Sequence, residues 1–70
     1  MTDDTRLVFE RLRAAGSPGA AERERIYALC REEVARRHAD APARERALEK
    51  LEKVIRRQEM QALYEESLKR

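Results

Sequence analysis

Residues 43–69 read ARERALEKLEKVIRRQEMQALYEESLK, a stretch without Gly or Pro and dense in strong helix formers. It predicts one long helix. At about 100° per residue, Ala47, Leu48, Leu51, Val54, Ile55, Gln58 and Ala62 share one face. Past Gln58 the apolar residues change side: Met60, Leu63, Tyr64 and Leu68 fall roughly opposite. One apolar face serves a neighbouring helix, and a second emerges where that neighbour has run out. The second face must meet an N-terminal helix, another chain or water. A helix folding across it within the chain is the simplest cover. Apolar patches of this kind otherwise mark interfaces, and a homodimer made through this helix is expected.

Working outward, Asp40-Ala41-Pro42 interrupts the helical pattern, with Asp40 placed to cap the last helix. So short a connection makes residues 18–38 and 43–69 an antiparallel hairpin. Ser17 and Pro18 are a start signal, a cap followed by the first helical position. Ile26, Leu29, Cys30 and Val34 form the apolar stripe of that helix, with Tyr27 on its flank. Glu32 with Arg36 and Glu33 with Arg37 are i, i+4 pairs, and Arg36, Arg37 and His38 suit its negative end. Upstream, residues 3–15 predict a first helix, capped by Thr2 or Asp3 and stopped by Gly16. Its stripe is Val8, Leu12 and Ala15, with Phe9 beside it. The expected fold is all-α: three helices in one domain over 1–70, the first packed on the hairpin of the other two, completed as a dimeric bundle.

Arg23-x-x-Ile26-Tyr27-Ala28-x-x-Arg31, then Val34 and Arg36, is followed by Leu51-Glu52-x-x-Ile55-Arg56-x-x-Glu59. This pattern resembles a helical-hairpin segment of uncharacterised bacterial proteins. The resemblance covers the second and third helices, with a shorter linker here and Gln58 in place of an apolar residue. It implies a hairpin and no activity.

Seventy residues allow a small core and leave little wall for a ligand pocket of ~300 Å³ or more, so an enzyme is not expected. Charged residues make up 43% of the chain, yet the net charge is +2 and the signs are interleaved, the usual pattern of solvated helix faces. Cys30, the single cysteine, has no partner for an internal disulfide. With no signal-peptide pattern and no apolar run of membrane length, the chain reads as cytoplasmic, with no membrane partner.

No catalytic residue, metal or cofactor is expected. Cys30 and His38 stand eight apart, but a zinc site needs about four ligands and the chain has no second Cys or His. A bundle metal site uses Glu-x-x-His, and the position three before His38 is Ala35. Gly16 and Gly19 lack the Lys of a phosphate-binding loop. Two basic groups remain. Arg36, Arg37, Arg44 and Arg46 gather at the hinge as a candidate anion site, and Lys53, Arg56 and Arg57 form a band along the last helix. Tyr27 and Tyr64 are assigned to packing, which leaves no aromatic for base stacking. Gln58 is read as a partly exposed position beyond the second helix, the sharper alternative being a polar register-setter in a helical seam. The expected function is a small non-enzymatic interaction or regulatory module. Met60, Leu63, Tyr64 and Leu68 anchor a partner, and Arg56 and Arg57 meet an acidic rim. The alternative is a nucleic-acid-binding regulator using the hinge and the basic band.

Overall fold

In the computed structural model, residues 4–68 are described. They form three helices, α1 (Asp4–Ala14), α2 (Ala20–Arg37) and α3 (Ala41–Leu68), each packed against both others, and no strand. The all-α fold class is as expected. The Thr2 and Asp3 caps lie outside the described residues.

Helix α3 sets the long dimension. Its 28 residues reach about 42 Å at ~1.5 Å per residue, close to the 45 Å length of the molecule. It begins at Ala41, two residues before the expected start, because Asp40 caps it there. The Asp40 carboxylate accepts the Ala43 N–H at 3.3 Å, and its carbonyl accepts the Arg44 N–H at 2.9 Å. Pro42 therefore sits in the first turn, where no N–H is needed.

Helix α2 runs back along α3 and is ten residues shorter. Its start differs from expectation: Ser17 does not cap it and Pro18 is not helical. Gly19 occupies the cap position with no side-chain hydrogen bond. The Pro18 carbonyl is instead taken by the Arg23 guanidinium at 3.0 Å, which holds the chain outside the helix for two more residues. Before it, Gly16 ends α1 at φ +83°, a conformation that residues with a Cβ rarely adopt.

The core consists of Leu7, Val8, Tyr27, Cys30, Val34, Leu51 and Ile55, with Leu12, Ile26, Ala47, Leu48 and Val54 packed around it. Two positions depart from the predicted stripes. Tyr27, placed on the flank of α2, is core, whereas Leu29, placed in its stripe, is exposed. On α1, Leu7 joins Val8 inside, while Phe9 is exposed, as is Ala15 just past the helix end. Ion pairs explain the rotation. Asp4 receives Arg37 at 3.2 Å and meets His38 Nε2 at 2.8 Å, and Arg11 meets Glu33 at 3.0 Å. These contacts turn the Asp4-Leu7-Arg11 edge of α1 toward α2 and swing Phe9 outward. Among the described residues, no helix is long and apolar enough to cross a membrane.

Candidate functional site

The buried polar centre of the molecule is Arg23, near the start of α2. Its side chain is 8% exposed and reaches three acceptors. Nε donates to Glu59 Oε1 at 2.8 Å, while Nη1 donates both to Glu66 Oε1 and to the Pro18 carbonyl, each at 3.0 Å. Glu59 and Glu66 are seven residues apart, so two turns of α3 hold one guanidinium whose fork fits several oxygens at once. Further along the hairpin, Arg31 grips both oxygens of Glu52, at 2.9 and 3.0 Å. Several of the residues quoted for the hairpin pattern join α2 to α3, while Ala28, Arg36 and Arg56 are exposed. Arg23 answers Glu59, Arg31 answers Glu52, and Tyr27 and Ile55 are both buried in the core.

Charge around Arg23 is strongly perturbed. The hydrogen bond from Arg23 holds the Glu59 carboxyl below the usual range, against the opposing effect of burial. Burial beside that carboxylate pushes the Tyr27 phenol up to about 12. The Tyr27 hydroxyl is enclosed and has no hydrogen-bond partner of good geometry. Glu59 adds to the upward shift both as an acceptor facing the hydroxyl and as a charge. Tyr27→Phe removes an unsatisfied hydroxyl and keeps the ring, so stability should stay level or rise slightly in a urea melt. A loss of ~1 kcal/mol or more would mean that the hydroxyl does bond to Glu59.

The clamp fixes which side of α3 faces out. Leu51 and Ile55 are buried and Gln58 and Ala62 half-buried on the inner side. Opposite them Met60, Leu63, Tyr64 and Leu68 are 67%, 59%, 66% and 67% exposed. Helix α1 does not fold across them, so the within-chain cover considered from the sequence is absent. Tyr64, assigned to packing, is part of this bare face. Lys53, Arg56 and Arg57 continue the same arc toward the hinge, exposed and without an ion pair among the described residues.

The hinge cations are less available. Arg37 is shared between Asp4 and Glu33, at 3.2 and 3.3 Å, and Arg46 Nε leans on the Pro42 carbonyl at 3.4 Å. Arg36 is exposed and Arg44 half-buried. Cys30 and His38 serve different places: the thiol lies in the core, where burial raises its pKa, and the imidazole meets Asp4. Among the described residues, no group of three or more His, Cys, Asp or Glu is placed to hold a metal ion. A groove of about 470 Å³ does run between the α1–α2 turn and distal α3, larger than the chain length suggested. It is an open furrow with Arg13, Gln58, Gln61 and Glu65 along it, not an apolar pocket.

Sequence reasoning missed the Arg23 clamp. The available signal was Arg23 and Arg31 on one helix, with Glu52, Glu59 and Glu66 at seven-residue intervals on the other. No family model, curated protein or solved structure matches this chain.

Proposed function

We propose that this chain is a small non-enzymatic interaction or regulatory module that binds through the outer face of α3. The observation that carries the reading is the row of four large apolar side chains, each about two-thirds exposed, on a helix whose other side is pinned by Arg23. A rigid helix presenting Met, Leu and Tyr at i, i+3 and i+4 has the form of helix-face recognition. Met adapts to varied surfaces, and Tyr brings contact area at low entropic cost.

Leu63→Asp and Tyr64→Asp should abolish association and leave the melting curve within ~0.5 kcal/mol of the parent, since both positions are exposed. Association is read as solution mass at two concentrations, or as retention of a partner on the immobilised chain. Association that survives Leu63→Asp sinks the reading. The nucleic-acid alternative draws on the exposure of Tyr64 beside the basic band. It predicts binding that collapses as salt rises and that is lost when Lys53, Arg56 and Arg57 become Gln, and weakened when Arg36, Arg37, Arg44 and Arg46 do.

A further inference from the structure

The charges around the bare face identify the kind of partner it fits. At about 100° per residue, the outward arc of α3 from residue 53 onward holds Lys53, Arg56, Arg57, Met60, Leu63, Tyr64, Ser67 and Leu68. Over residues 53–68 it carries no carboxylate, the next acid on the arc being Glu49, one turn nearer the hinge. The acids of this segment lie elsewhere: Glu59 and Glu66 are held by Arg23, and Glu65 lines the groove beside Gln61. Like most surface cations of the chain, Lys53, Arg56 and Arg57 meet no acid among the described residues, and what sets them apart is that they continue the row of bare apolar side chains.

We infer that the occupant of this face is an acidic amphipathic helix from a different protein, rather than a second copy of this chain. The inference rests on the reading of α3 as the binding face. Two copies meeting face to face over residues 53–68 would bring six cations and no acid into one interface, and like charges there oppose association. Area points the same way. Four side chains two-thirds exposed offer on the order of 500 Å², short of the ~800 Å² per side of a stable dimer. A slim helix that also lies along the stems of Arg56 and Arg57 makes up the difference. Nucleic acid suits the three cations but leaves Met60, Leu63 and Leu68 without use. The partner helix carries apolar residues at i, i+3, i+4 and i+7, with Asp or Glu one to two turns to one side, opposite Arg56 and Arg57.

The test is selection from a displayed library of helical 20-residue peptides with randomised surface positions, against the immobilised full-length chain. Enriched peptides should show that apolar spacing and a flanking acidic cluster. Arg56→Glu with Arg57→Glu should weaken them about tenfold or more, and Lys in place of the peptide acids should restore binding to that variant. Circular dichroism confirms that the variant is folded. Enrichment of neutral or basic peptides overturns the inference, as does a doubled solution mass that Leu63→Asp returns to a monomer; in both cases the face itself still binds. Tight binding of a 20-nucleotide oligothymidine in place of peptides also overturns it. Enrichment indifferent to Leu63→Asp, or none at all, brings down the binding face together with the partner.

Discussion

Replacing Arg23 with Ala should lower stability by about 2–4 kcal/mol, most of the ~3–5 kcal/mol that a 70-residue chain commands. The residue is charged and almost wholly enclosed, and it joins α2, the loop at Pro18 and two turns of α3. Its removal leaves the Pro18 carbonyl without its donor and the Glu59 carboxylate facing the enclosed Tyr27 ring with no counter-charge. Glu59 and Glu66 are 34% and 51% exposed, so water recovers part of the loss, which keeps the figure below that of a fully buried pair. Arg23→Lys keeps the charge and forfeits the fork, and should fall between parent and Ala. Urea unfolding monitored by helical circular dichroism measures all three. A loss under ~1 kcal/mol for Ala would mean that the clamp is incidental.

The same cluster sets a pH dependence, and its sign comes from Glu59. Its folded-state pKa is depressed, so its contribution is complete above the unfolded carboxylate value. That contribution drains away as pH falls through the folded value. The parent should therefore lose stability on acidification below the ordinary carboxylate range. Glu59→Gln should start lower and show a shallower acid slope over that window.

Element number and order were legible because α3 lacks breakers after Pro42 and Asp40-Ala41-Pro42 is a strong stop-and-start signal. The inner face of α3 was legible too, since the Leu51 and Ile55 spacing has one helical solution. What could not be read was rotation. On α1 and α2 the apolar residues are clustered in sequence, Leu7-Val8-Phe9 and Ile26-Tyr27 with Leu29-Cys30, and so face almost every direction. Periodicity alone does not choose among them. The choice is made by Asp4, Arg11, Arg23 and Arg31, whose charged partners lie 21 to 43 residues away in the chain. With so many charges, pairing them from sequence has many solutions, and only the fold selects one. For the same reason the bare face of α3 was legible while its cover was not. Among the described residues nothing covers that face, and one sequence holds no record of any partner outside it.

Leu51→Ala is expected to cost about 3 kcal/mol, whereas Leu63→Ala, the same chemical change 12 residues along the same helix, should stay within ~0.5 kcal/mol. Leu51 is fully enclosed and sits among core side chains of all three helices, so its truncation opens a cavity that α2 cannot close without breaking the Arg31–Glu52 and Arg23–Glu59 pairs on either side. Those pairs fix the spacing of the two helices and make collapse around the void expensive, which places the cost well above simple loss of methyl groups. Leu63 is 59% exposed, so truncation removes little packing from the isolated chain. Thermal unfolding of the two variants, with the parent alongside, separates stability from recognition on a single helix. Equal losses would mean that α3 is not fixed in rotation and that its outer residues spend time inside. A large loss at Leu51 and none at Leu63 leaves Leu63 with no structural task in the isolated chain, as the proposed binding face requires.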